Sequence, residues 1–157
     1  MENKKSVYLD STILSFYNDE RPELRNFIDA TKRWWDEERI NYELFSSQAT
    51  VAEIENGDHP NKEKILKLIP LVEILEIDIE IDNIAKVYIE NFVMPREVAG
   101  DAVHLAYASL YKIDYLLTWN CKHLANANKK QHILIVNTKM NLFTPEIITP
   151  LELVEED

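Results

Sequence analysis

Short apolar, β-prone segments alternate with helical patterns along this 157-residue chain, and that alternation constrains its fold more than any other feature. SVYLD (6–10), YELFSS (42–47) and DYLLT (114–118) read as strands bounded by polar or turn residues. HILIV (132–136) reads as a further strand, VEILEI (72–77) as a strand or extended linker, and the tail EIITPLEL as a last extended piece with a proline turn. Between them, a helical pattern runs from Pro22, a good first-turn residue, to about Ile40. There Leu24, Phe27, Ile28, Thr31, Trp34 and Trp35 recur at helical steps. A helix over 48–56 ends near Gly57, and an amphipathic one from Asn61 to Leu68 ends at Pro70. Helices over 78–94 and 96–112 meet at Pro95, and a short helix covers 121–130. Strands that alternate with helices pack as a parallel sheet covered on both faces. The expected fold is therefore α/β, a three-layer α/β/α sandwich around a central, mostly parallel sheet. No repeat or linker interrupts it, so residues 1–157 are expected to form one domain.

With 46% hydrophobic residues and only two glycines, the chain is a folded one and not a disordered one. No apolar run approaches the roughly 18 residues that span a bilayer. The opening MENKKSVYLD enters an apolar stretch too short for a signal-peptide core, and Cys121 is the single cysteine. Both features predict a cytoplasmic protein. The Gly-rich phosphate loop, GxGxxG, GxSxG, HExxH and CxxC are all absent, which removes support for the chemistries those motifs carry.

The net charge of −11 argues against a phosphate-rich partner, but the charge is unevenly spread. Tyr115 to Pro145 contains no Asp or Glu and carries Lys122, Lys129, Lys130 and Lys139, whereas Leu71 to Asp101 has eight acids against Lys86 and Arg96. One local surface can still accept a polyanion.

In open parallel sheets, functional groups gather beyond the carboxyl ends of the strands. Asp10 ends the first strand there, Glu53 lies in the helix after the second, and Thr118, Trp119 and Asn120 end DYLLT. Asp101 stands near the start of the helix that feeds that strand. Converging carboxylates with an amide suit a hard ion such as Mg²⁺ or Mn²⁺, and phosphodiester hydrolysis is the leading chemistry. Each acid also has a simpler reading. Asp10 before Ser11 and Thr12 looks like a helix N-cap, Glu53 like a solvated helix residue, and Asp101 like a cap, although His104 stands where a capping box has Glu or Gln. His104 reads as a core or supporting residue, Cys121 and His123 as incidental, Trp34 and Trp35 as core and rim, and Glu97 as a solvated acid. A phosphohydrolase with Asp10 as nucleophile stays open, although Thr12 stands where such enzymes place a second acid.

The stretches VYLDSTILSFY, SSQATVAEIENG, GDAVHLAYASLYKIDYLLTWNCKHLANA and IITPLEL together resemble the PIN-domain family, most closely its stand-alone VapC-like ribonuclease toxins of toxin–antitoxin pairs. The likeness runs over nearly the whole chain and is most specific over 100–127. It implies a PIN-like sandwich with an acidic pocket for Mg²⁺ or Mn²⁺, and endonucleolytic RNA cleavage by metal-activated water. By the resemblance, Asp10, Glu53 and Asp101 are the metal-holding acids. Asn120 falls where many members carry a fourth acid, which weakens metal binding and admits a PIN-like module that only binds. Thr118 is a supporting hydroxyl. The resemblance also implies an RNA substrate met by Lys122, Lys129 and Lys130, a small basic antitoxin as partner, and homodimerisation.

Overall fold

A computed structural model describes residues 3–155. Five strands, β1 (Lys5–Leu9), β2 (Tyr42–Ser46), β3 (Glu73–Ile74), β4 (Tyr115–Leu117) and β5 (Glu146–Ile148), form one sheet in the order β3-β2-β1-β4-β5. Every neighbouring pair is parallel. Val7 of β1 lies opposite Leu44 of β2 on one side and Tyr115 of β4 on the other, so β1 is central and paired along both edges.

The side-chain alternation of the strands divides the core in two. Tyr8, Leu116 and Ile147 face a cluster built on α5 (Glu80–Glu90), α6 (Ala99–Leu110) and α7 (Ala127–Lys139). Val7, Leu9, Leu117 and Ile148 face the opposite cluster. That layer draws on α1 (Ser11–Tyr17), α3 (Gln48–Asn56) and α4 (Lys62–Leu66), with Ile13, Leu14, Ile54, Ile65 and the buried pair Trp34 and Trp35, and α2 (Arg25–Arg33) packs on α1. The result is the expected α/β sandwich. No helix among the described residues is long and apolar enough to cross a membrane.

Two sequence-based expectations fail in one region. HILIV (132–136) is not a strand but the middle of α7. Four consecutive apolar residues carry no period of their own, so the flanks decide. The Asn126 side chain accepts from Asn128 N at 3.0 Å and starts the helix, and burial then follows helical steps through Ile133, Val136 and Asn137. The strand comes instead from the tail, at Glu146–Ile148. The second failure is the helix over 121–130: residues 121–125 form turns, and helix begins only at Ala127. The long pattern from Pro22 to Ile40 is also divided, into a 3₁₀ turn, α2, a π turn over Trp34–Glu38 and another 3₁₀ turn. The π turn places both Trp34 and Trp35 in the core.

Candidate active site at the carboxyl edge of the sheet

Asp10 follows the last residue of β1 and is 2% exposed. It does cap α1, as its Ser-Thr context suggests. Oδ1 accepts from Thr12 N at 3.0 Å and from Thr12 Oγ1 at 2.5 Å. Oδ2 accepts from Thr118 Oγ1 at 2.5 Å, just past β4. Thr118 Oγ1 in turn accepts from Asn120 N at 2.9 Å, and Trp119 N donates to Thr12 Oγ1 at 2.9 Å. The ends of β1 and β4 are thus laced together around one carboxylate. Burial pushes the Asp10 carboxyl above its usual range, against the downward pull of His104, Thr118 and Thr12.

Asp101 is not a helix cap. It lies in the first turn of α6, whose N-terminal boundary residue Val98 gives no side-chain cap. Its Oδ2 accepts from Asn120 Nδ2 at 2.7 Å, while Asn120 Oδ1 accepts from His123 N at 2.9 Å and so fixes the amide. Burial raises the Asp101 carboxyl too, with His104, Asn120 and His123 opposing. The Lys129 ammonium donates to Val93 O at 2.9 Å; burial lowers its pKa, and the attraction of Asp101 partly offsets this. From the acid-free segment, His123 thus acts on Asp101, and Asp101 acts on Lys129. Among the described residues neither Asp10 nor Asp101 has an ion-pair partner.

Glu53 on α3 turns towards the same edge. Its Oε1 meets His104 Nε2 at 2.5 Å and its Oε2 accepts from Ser11 Oγ at 2.9 Å. Gly100 backs it closely: a Cβ there would lie 3.4 Å from Oε1. Burial pushes Glu53 up, but His104 and Ser11 outweigh that and hold the carboxyl below its usual range. His104 is 1% exposed and acts electrostatically on Asp10, Glu53 and Asp101 alike. Burial alone would depress its pKa, but Tyr8, Glu53 and Asp10 together raise it well above the ordinary value.

Hydrogen bonds tie Asp10 to Thr118, Thr118 to Asn120, Asn120 to Asp101, and Glu53 to His104 and Ser11. Glu97 is exposed. The roles of Ser11, Thr12 and Tyr8 were not anticipated. Ser11 and Thr12 were legible only as a capping context, and Tyr8 only as strand core.

The Asp10 and Asp101 carboxylates suit a hard divalent cation in kind: neither has an ion-pair partner among the described residues, and Asp10 is buried among neutral donors. Among the described residues no group of three or more His, Cys, Asp and Glu side chains is placed to hold a metal ion. Both Glu53 oxygens are engaged by protein donors. Magnesium is compatible with such an arrangement, since it commonly takes one or two carboxylates and completes its shell with water and phosphate.

By sequence, no family model and no curated protein matches the chain. Solved structures do match. The toxin VapC20 of Mycobacterium tuberculosis, described as cleaving the sarcin–ricin loop, superposes with a TM-score of 0.55 at 13% identity, covering 75% of this chain and 92% of that one. The fold is that of the VapC toxins. VapBC-1 of nontypeable Haemophilus influenzae is also similar, with a TM-score of 0.53 at 17% identity over 92% of this chain and 98% of that one. A VapC-like architecture is what the PIN-domain resemblance implied.

Proposed function

We propose that the chain is a VapC-type, metal-dependent endoribonuclease, the cytoplasmic toxin of a type II toxin–antitoxin pair. The observation that supports this reading is the hydrogen-bond path from Asp10 through Thr118 and Asn120 to Asp101, with no ion pair to either carboxylate among the described residues. The sarcin–ricin activity of VapC20, which shares the fold, supports an RNA substrate.

Asp10, Glu53 and Asp101 would hold Mg²⁺ or Mn²⁺. When bound, such an ion lowers the pKa of water and neutralises charge on a phosphodiester. The remaining tasks belong to the chain. Thr12 and Thr118 fix the Asp10 carboxylate, and Asn120 fixes Asp101. Lys129, in the acid-free segment and within the electrostatic influence of Asp101, offers positive charge to the RNA backbone, with Lys122 and Lys130 on the same stretch. The acids concentrated between Leu71 and Asp101 suit a basic antitoxin segment, and a VapBC structure is among the similar ones.

A second reading, a PIN-like binding module weakened in catalysis, draws on one contact. Asn120 donates its amide to Asp101 where an acid would add charge. One experiment separates the two. Purified protein with Mg²⁺ or Mn²⁺ is expected to cleave single-stranded RNA, with EDTA or Asp101→Asn abolishing cleavage. Wild type inert with both metals would favour the binding module, and full cleavage by Asp101→Asn would contradict the site.

A further inference from the structure

A continuous chain of hydrogen bonds runs through the buried interior to Glu53. Ser47 Oγ and Tyr8 Oη are 2.7 Å apart, Tyr8 Oη and His104 Nδ1 are 2.7 Å apart, and His104 Nε2 meets Glu53 Oε1 at 2.5 Å. Ser11 Oγ closes it from the other side at 2.9 Å from Oε2. The chain crosses from the residue preceding α3, through β1, to α6 and back to α3. Ser47, Tyr8 and His104 are all essentially without exposure.

Two features mark this as more than core filling. Burying an imidazole on a helix whose other buried residues include Ala102, Leu105, Ala106 and Ala108 costs free energy unless both ring nitrogens find partners, and an apolar residue would avoid that cost. Here both nitrogens are partnered, and one partner is a carboxylate at the candidate site. The second feature is Ser47. It occupies the N-cap position of α3 and is of the residue type that caps best, yet its side chain makes no capping bond. Its hydroxyl goes to Tyr8 instead. A local rule is broken where the broken rule extends the chain towards Glu53, which is the pattern expected at functional sites.

We propose that Tyr8 and His104 are positioning residues that fix the Glu53 carboxylate for work at the metal-dependent site, with Ser47 anchoring Tyr8. The arrangement works with the imidazole neutral or charged. In the neutral ring Nε2–H donates to Glu53, Nδ1 accepts from Tyr8, and Tyr8 accepts from Ser47. In the charged ring Nδ1–H donates to Tyr8, whose hydroxyl then donates to Ser47. Glu53 receives the same Nε2–H donor in both. Precise activity requires such supporting partners, because a carboxylate free to change rotamer loses its geometry.

This inference rests on the metal-dependent reading of the site. It is tested by Mn²⁺ binding, followed by electron paramagnetic resonance, together with RNA cleavage kinetics, in the full chain carrying His104→Leu, His104→Gln or Tyr8→Phe. Loss of an outer-shell partner typically costs about 10–100-fold in metal affinity or activity. His104→Leu is expected to weaken Mn²⁺ binding and lower kcat by amounts in that range, with KM for RNA little changed. His104→Gln, whose amide can still donate to Glu53, is expected to recover most of both. Tyr8→Phe keeps the ring packing but releases the imidazole, and is expected to fall between. If His104→Leu does not fold, Tyr8→Phe decides alone. Variants that melt lower but keep wild-type Mn²⁺ affinity and kcat would overturn the positioning role, as would His104→Gln no better than a folded His104→Leu. Wild type that neither binds Mn²⁺ nor cleaves RNA would overturn the reading beneath it.

Discussion

Thr118→Val probes how the buried Asp10 carboxylate is tolerated. Thr118 has no exposed surface; its hydroxyl donates to Asp10 Oδ2 at 2.5 Å and accepts from Asn120 N at 2.9 Å. Valine matches the shape but removes both bonds. Losing a hydrogen bond to a buried charged group costs about 1.5–3 kcal/mol, and stranding the amide N–H of Asn120 about 1 kcal/mol more, for a total of roughly 2.5–4 kcal/mol. In a chain of this size each kcal/mol moves Tm by about 2–4 °C, so a fall of roughly 5–15 °C is expected. Urea unfolding followed by circular dichroism, in EDTA near neutral pH, should show a lower midpoint at unchanged slope. Thr118→Ser is the control. It keeps the hydroxyl and loses one buried methyl, worth about 1 kcal/mol. If valine costs no more than serine, the carboxylate does not depend on Thr118, and the account of the β1–β4 edge is wrong.

The helix that replaces HILIV makes its own prediction. Ile133 is 1% exposed and Ile135 44%, although a strand would point both to one face. Ile133→Ala should cost about 2–4 kcal/mol and Ile135→Ala under about 0.5 kcal/mol by denaturant titration; equal losses would restore the strand. Tyr88 predicts an alkaline effect. Burial pushes its phenol up to about 12 from 10.0, although Ser109 and Asn137 hydrogen-bond to it. Above the unfolded value the unfolded chain sheds this proton first, so stability falls as pH rises from 10.0 to about 12. The contribution is about 2–3 kcal/mol, at roughly 1.4 kcal/mol per unit. It should vanish from the pH–stability profile of Tyr88→Phe, and an unchanged alkaline slope in that variant would refute the assignment.

The parallel α/β class and the ends of β1 and β4 follow from rules that act locally. Strand ends announce themselves by a switch from apolar to polar residues, as at Leu9–Asp10 and Leu117–Thr118. Asp10 was readable both as a cap and as a site residue, and in the structure it does cap α1 while facing Thr118. Two things were not readable. HILIV has the β-branched composition of a strand, and only the cap at Asn126 and the competing tail segment turn it into helix. The pairing of His104 with Glu53 joins residues 51 apart through a ring buried on a helix that looks like ordinary core. No spacing in the sequence signals such a contact, because it depends on α3 and α6 meeting in three dimensions. Ser47 was a clue of a weaker kind: a good capping residue that does not cap.

The central claim is that Asp10 and Asp101 share a divalent cation at the carboxyl edge of the sheet. Anomalous diffraction from crystals grown with Mn²⁺ tests it most directly. The account predicts one strong peak bound by carboxylate oxygens of Asp10 and Asp101, with Glu53 on His104 alongside, and no peak in Asp101→Asn crystals. A peak away from these residues, or none at saturating Mn²⁺, would contradict it.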